Sequence, residues 1–191
     1  MKKKNQVAFK EWAAVVRALE KGQQIFLLRK GGIAEEGGVF QIEETEFFLF
    51  PTFEHQEKEK LKPQAQILID ESKKQADLWA GKVGLSCYAE VVDIFQFKTL
   101  DPLLGLSQYY IWTDELVRER FNWRSEEPIY VLLLRVYRLE NTLLIDSLER
   151  YGGCKSWIGF DRPIPTKGAK TVLGDMEFEL RVERIRTALQ Q

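Results

Sequence analysis

Apolar residues recur along the chain at two spacings, and the change from one to the other marks out its elements. Between Lys10 and Lys21, Trp12, Val15, Val16 and Leu19 fall at helical spacing, and Gly22 stands where a C-terminal cap belongs. The apolar run Gln24–Arg29 has strand character. The pairs Gly31-Gly32 and Gly37-Gly38 bracket an acidic turn, as in a hairpin-like loop, and Val39–Ile42 and Glu46–Phe50 then read as strands. Pro51 is expected to stop the second of them. Pro63 suits the first residue of a helix running to about Trp79, with Ala65, Leu68, Ile69, Ala76 and Trp79 as its apolar face.

The second half is richer in strand. Leu85–Phe97 is a long segment in which Cys87, Ala89, Val91 and Asp93 alternate with Tyr88, Glu90, Val92 and Ile94. Asp114 is placed to cap a helix reaching about Phe121, with Glu115 in a first turn that favours negative charge. Ile129–Leu139 is the strongest strand, apolar on both faces through Val131–Leu134 and therefore central. Leu143–Ile145 and Thr171–Leu173 are shorter strands. Asp175 is placed to cap a last helix carrying Phe178, Val182, Ile185 and Leu189 on one stripe. Strands of mixed length without β-α-β alternation predict an α+β fold in a single domain over residues 1–191. Its sheet is expected to be curved or barrel-like and mainly antiparallel, with flanking helices. Neither a GxGxxG dinucleotide fingerprint nor a GxxxxGK[ST] loop occurs.

Composition narrows the class. At 191 residues, 45% hydrophobic and 30% charged, the chain is an ordinary globular domain rather than a disordered, collagen-like or disulfide-stapled one. No apolar run approaches the ~18 residues of a membrane span, and the basic start Met1–Lys4 leads into no signal-like stretch. With two cysteines, Cys87 and Cys154, the expectation is a reduced, cytoplasmic protein without a disulfide. The net charge of -1 hides a strong asymmetry. Residues 1–33 hold eight basic residues against two acids, whereas residues 34–57 hold seven acids and no Lys or Arg. The two readings are a pair of solvated faces that attract each other and a local basic patch for phosphate, so any nucleic-acid contact is expected to be local.

Three blocks carry the candidate chemistry. Arg29-Lys30-Gly31-Gly32 sets two cations before two glycines at a strand end, where backbone N–H groups can approach a phosphate and Arg can hold two of its oxygens. Thr52 and Glu54-His55-Gln56 place the only histidine beside a carboxylate in a loop, as a general base or hydrogen-bonding reader. Tyr151-Gly152-Gly153-Cys154-Lys155-Ser156-Trp157 joins a thiol to a glycine turn, and a Cys154 nucleophile with His55 as base needs only that the two meet in space. Trp112 and Trp157 stand in loop-like contexts where a base could stack. His55, Cys87 and Cys154 lack metal-ligand spacing, so neither metal nor cofactor is implied. Glu35, Glu36, Glu43, Glu44 and Glu46, joined by Glu90 and Asp93, raise a metal-dependent nuclease, but no Asp…Glu-x-Lys spacing stands on a clear strand.

The blocks Leu27–Ile33, Phe50–Gln56 and Tyr151–Trp157, with Glu11-Trp12 and Ile111-Trp112-Thr113, together resemble the bacterial domain-of-unknown-function family 1802 over nearly the whole chain. That resemblance implies one intact domain in a prokaryotic, cytoplasmic setting and brings no activity with it. The stretch Leu19 to Arg29, a helix ending in glycine followed by a strand ending in a basic residue, also resembles the start of ASCH-type PUA-like barrels. The Lys and Glu of that motif are replaced here by Gln24 and Leu27. The second resemblance implies binding of RNA or modified bases. The leading expectation is therefore a domain that binds RNA, DNA or a nucleotide-like phosphate ligand, with the three blocks meeting in one site. The alternatives are a nuclease or hydrolase using His55 with nearby acids or Cys154, and a protein-interaction module.

Overall fold

The computed structural model describes residues 1–30 and 44–190, which form one α+β domain. The predicted Gly31-Gly32 and Gly37-Gly38 turns, the strand Val39–Ile42 and the acids Glu35, Glu36 and Glu43 lie outside the described residues. The backbone of the fold is a pair of long antiparallel strands, β4 (Lys82–Phe97) and β5 (Ile129–Asp146). Their ladder runs from Lys82 opposite Asp146 to Phe97 opposite Ile129 and bends at two bulges. The separate strand expected at Leu143–Ile145 is the far end of β5, because the polar Glu140-Asn141-Thr142 stretch forms an irregularity opposite Ser86, beyond which pairing resumes at Leu143 with Leu85.

The other strands extend this pair. In chain order they are β1 (Lys4–Trp12), β2 (Phe26–Arg29), β3 (Glu46–Thr52), β6 (Trp157–Pro165) and β7 (Lys170–Thr171). Among the described residues the sheet order is β2-β5-β4-β3-β1-β6, with β7 on β5 beyond β2. Every pairing is antiparallel except β1 with β3. The sheet does not close into a barrel through its described strands, since β2 and β6 stand at its two ends.

Several expectations are corrected by particular residues. The helix expected from Lys10 begins three residues later, as α1 (Ala13–Glu20), because Lys10–Trp12 belong to β1. Pro51 does not stop β3, which runs on to Thr52. Pro63 opens only a short 3₁₀ turn, and the regular helix α2 covers Ile67–Asp77. The helix after Trp112, α4 (Asp114–Asn122), is capped by Thr113, whose Oγ1 accepts from the Leu116 N–H at 3.2 Å. Asp114 instead accepts from Ser107 Oγ at 2.6 Å and Tyr110 Oη at 2.9 Å, which hold its carboxyl below its ordinary value, the Ser107 bond first. Asp175 does not cap the last helix, α5 (Asp175–Leu189): Gly174 takes that position, and the Asp175 carboxylate pairs with Arg135 of β5. A one-turn helix, α3 (Asp101–Gly105), precedes α4.

Two apolar cores flank the sheet. The larger packs α1, α2, α4 and α5 against one face through residues such as Phe9, Leu19, Phe26, Phe47, Leu132 and Ile185. The smaller lies on the other face around Ala8, Phe48, Phe50, Tyr88, Tyr151 and Phe160. Side chains alternate across a strand, so in β1 Ala8 enters the small core and Phe9 the large one. The next two residues, Lys10 and Glu11, continue that alternation with charged groups and are almost as buried.

Candidate functional site

β1 is the spine on which the site is assembled. On one side it pairs with β3 as far as Trp12 opposite Thr52, which delivers the Thr52–Gln56 loop. On its other side it pairs with β6 from Phe9 opposite Trp157, and the Lys10 N–H donates to the Ser156 carbonyl at 2.8 Å, which fixes the Gly152–Ser156 loop. Arg29, at the end of β2, lies over the Phe9 ring at 4.3 Å and donates to the Lys10 carbonyl. Its side chain thereby spans the gap that backbone pairing leaves open. Three segments far apart in sequence meet here.

The two loops are individually constrained. Thr52 Oγ1 accepts from the Glu54 N–H at 3.1 Å, and His55 follows in the left-handed region at φ 57°. Gln56 Oε1 then accepts from the Ala14 N–H at 2.9 Å. That bond serves the start of α1, where Trp12 has no acceptor to offer as a cap. Across from it, Gly153 also takes a positive φ, 79°, which glycine adopts without strain. Its carbonyl accepts from Lys10 Nζ at 2.9 Å, and Lys10 also faces Glu54 at 3.4 Å. The turn presents Cys154 outward with Sγ 3.8 Å from His55 Nε2.

These parts enclose a cleft of about 240 Å³. Its floor is a charged cluster. Glu11, only 3% exposed, uses Oε1 to accept from the Trp12 N–H at 2.8 Å, while Oε2 faces Arg29 at 3.5 Å. Among the described residues Glu11 Oε2 and Arg29 Nε have no hydrogen-bond partner, an arrangement that calls for an explanation in a buried site. Arg120, from the last turn of α4, sits 5.0 Å from the rings of both Trp12 and Trp112. Burial, opposed by Glu11 and reinforced by Arg29, pushes Arg120 down to about 10, so it keeps its charge at neutral pH. Lys30 donates to the Phe121 carbonyl, and burial lowers its ammonium from the ordinary range against the pull of Glu127. Trp123, 45% exposed at the end of α4, forms the rim.

The sequence-expected residues thus divide. Arg29, Lys30, Thr52, Glu54, His55, Cys154 and Ser156 line the one cleft, and Gln56 braces it from behind. Gly31 and Gly32 lie outside the described residues. Trp112 is fully buried and bridges Leu61, and Trp157 packs edge-on against Phe9 and Phe47 at 4.8 and 5.4 Å, so both belong to the core. Of the acids weighed for a nuclease, Glu44 pairs with Lys2, Glu46 and Glu90 bond Tyr88 and Tyr137, and Asp93 pairs with Arg186, all away from the cleft. Lys10, Glu11, Trp12, Arg120 and Trp123 were not expected as site residues. The available signal was the Lys10-Glu11 pair directly after the apolar Val7-Ala8-Phe9 run.

The chain belongs to the family described as Domain of unknown function (DUF1802), which matches residues 8–184. Among solved structures it is similar to ASCH from Zymomonas mobilis, at 11% identity and a TM-score of 0.46 over 93% of each chain. It is also similar to a mutant of ZmASCH from the same organism, at 13% identity and a TM-score of 0.43 over 96% of this chain and 98% of that one. No curated protein matches. Among the described residues no helix is long and apolar enough to cross a membrane.

Proposed function

We propose that the cleft binds nucleic acid or a nucleotide-like ligand through its phosphate. The observation that carries this reading is the convergence of Arg29, Lys30, Arg120 and Lys155 on one small cleft, where the described carboxylates are Glu11 and Glu54, the latter paired with Lys10. Two guanidinium groups in a half-desolvated site suit an anion with several oxygens, which Arg can hold bidentately. Trp123 at the rim supplies a surface on which a base can stack. Binding of a fluorescent single-stranded RNA at rising salt tests the reading. The logarithmic slope is expected at about -0.7 per phosphate held, hence roughly -0.7 to -2.1 for one to three contacts. Replacing Arg29 and Lys30 together by Ala flattens it. Absence of binding at low salt to RNA, DNA and nucleotides alike removes the proposal and favours a protein-interaction module.

The Cys154–His55 approach favours a second reading, in which the bound ligand is hydrolysed with Cys154 as nucleophile and His55 as its base. Turnover that survives both Cys154→Ser and His55→Ala excludes it.

A further inference from the structure

A second hollow adjoins the cleft across a low wall formed by Lys10, Thr52 and Glu54, which face both. It is much the larger, at about 870 Å³. Phe53 and Leu148, 39% and 40% exposed, and Trp79 give it apolar surface. The cleft alone is smaller than the roughly 300–1,000 Å³ in which small organic ligands are enclosed. It has room for an anionic group and little more, so the body of such a ligand must lie outside it, and the groove is the hollow that shares its Lys10, Thr52 and Glu54 wall.

The charge changes sign across the wall. Lys10 and Glu54 pair with each other and offset. Beyond them the cleft has Arg29, Lys30, Arg120 and Lys155 against Glu11, whereas the groove has Asp77 and Glu149 against Lys82. Lys82 is itself paired with Asp146 at 3.1 Å. A polyanionic strand running through both hollows would bring phosphates against Asp77 and Glu149, a like-charge approach that disfavours it. A ligand with one anionic end and an uncharged body meets no such penalty. Carboxylates accept hydrogen bonds from its hydroxyls, and Phe53 or Trp79 can stack against a ring.

We propose that the site takes a nucleoside monophosphate, free or as the terminal residue of a strand, with its phosphate in the cleft and its nucleoside in the groove. This rests on the phosphate reading above and assigns the second hollow to the uncharged part of the same ligand.

Calorimetric titration of the full chain at low salt tests it. The probes are inorganic phosphate, the 5′-monophosphates of adenosine, cytidine, guanosine and uridine, and a hexanucleotide with and without a 5′-phosphate. At least one monophosphate is expected to bind about tenfold or more tighter than inorganic phosphate. Phe53→Ala combined with Leu148→Ala removes that advantage and leaves inorganic phosphate unchanged, both side chains being exposed enough to spare the fold. Asp77→Asn with Glu149→Gln, which changes no volume, weakens the monophosphate severalfold and tightens the unphosphorylated hexanucleotide. Preference for the 5′-phosphorylated hexanucleotide identifies a strand terminus as the source, and equal, weak binding of both hexanucleotides identifies the free nucleotide. The proposal is overturned if no monophosphate outbinds inorganic phosphate, if both groove variants leave nucleotide affinity unchanged, or if the unphosphorylated strand binds tightest. Those results can arise with salt-dependent RNA binding through Arg29 and Lys30 intact, in which case only the assignment of the groove fails. Loss of all anion binding overturns both readings.

Discussion

β1 and β5 both run through the interior of the sheet, and their buried stretches are made of opposite materials. Val131, Leu132, Leu133 and Leu134 of β5 are fully buried between β2 and β4, and both faces are hydrocarbon. Ala8 to Glu11 of β1 are almost as enclosed, along β3 throughout and beside β6 as far as Lys10, yet two of these four residues are charged. Burying a charge is unfavourable unless it is paired and hydrogen-bonded, and a buried pair often does no better than hydrocarbon of the same shape. The end of β1 therefore carries a cost that β5 does not, offset in part by the Glu11–Arg29 ion pair, while Glu11 Oε2 and Arg29 Nε have no hydrogen-bond partner among the described residues. The apolar strand holds the fold together, and the charged one holds the site.

The sharpest way to break this contrast is to damage each strand in turn. Leu133→Ala leaves a cavity opposite Phe26 in the fully buried centre and should cost about 2–5 kcal/mol in urea unfolding. Its ligand affinity, measured on the folded fraction, should not change. A loss of less than 1 kcal/mol, or a loss of affinity in folded protein, would erase the distinction. Glu11→Ala should cost around 3 kcal/mol, near the lower end for a broken buried pair, because Arg29 keeps some contact with solvent. Here the damage should be partly reversible: high phosphate should restore stability to this variant more than to the unmodified chain, since an anion can replace the missing carboxylate. Equal stabilisation of both proteins would show that the anion does not take the place of the missing carboxylate, and stabilisation of neither would show that Arg29 and Arg120 do not form an anion site.

The same contrast explains how much was legible in the sequence. β5 and β4 could be read because their residues obey periodicity, and the Arg29, Glu54–His55 and Cys154 turns could be read as chemistry because glycine, cations and the only histidine cluster there. β1 could not. Lys10 and Glu11 interrupt an apolar alternation, and Trp12, Val15 and Leu19 extend a helical spacing backwards over them, so the strand was absorbed into α1. Arg120 and Trp123 differ: they stand on or just after a short polar helix, and they reach the site because Arg120 lies over Trp12 at the end of β1 and the Phe121 carbonyl accepts from Lys30. Periodicity fails where a buried strand carries charge instead of hydrocarbon. Trp112 shows the converse, since a loop-like context in sequence gives no warning that its ring is fully buried.

A smaller effect concerns the mounting of α4, which brings Arg120 and Trp123 to the cleft. Asp114 accepts two hydroxyl bonds, from Ser107 and Tyr110, and its carboxyl is held below its ordinary value. A depressed carboxyl contributes stability that is present above the unfolded value and lost as pH falls through the folded one. Asp114→Asn should therefore cost about 1.5–3 kcal/mol at neutral pH, the range for hydrogen bonds to a charged group, and progressively less as pH falls below the ordinary carboxylate range. Thermal unfolding across pH 2–7 measures it. An undiminished difference at the acid end would mean that the charge of Asp114 has no part in fixing α4.

The smallest effect separates the two regions with no change in stability at all. Cys87 lies in β4 opposite Arg138 of β5, and burial, with Glu20 adding, pushes its thiol up to about 12. Cys154 is exposed on the turn beside His55. The thiolate is the reactive form, and a buried thiol with a raised pKa offers neither that form nor access. In folded protein at pH 8 an aromatic disulfide reagent should titrate one thiol per chain within minutes, and in denaturant it should titrate two. Cys154→Ser should abolish the fast reaction while leaving the unfolding free energy within about 0.5 kcal/mol, as expected for an exposed side chain. The label itself then reports on the cleft: a bulky adduct on Cys154 stands beside Lys10, His55 and Ser156 and should weaken phosphate-ligand binding, and saturating ligand should slow the labelling in return. Fast reaction of both thiols in the folded state would place Cys87 in a region that opens readily, and the apolar strands could then no longer be taken as the rigid half of the molecule.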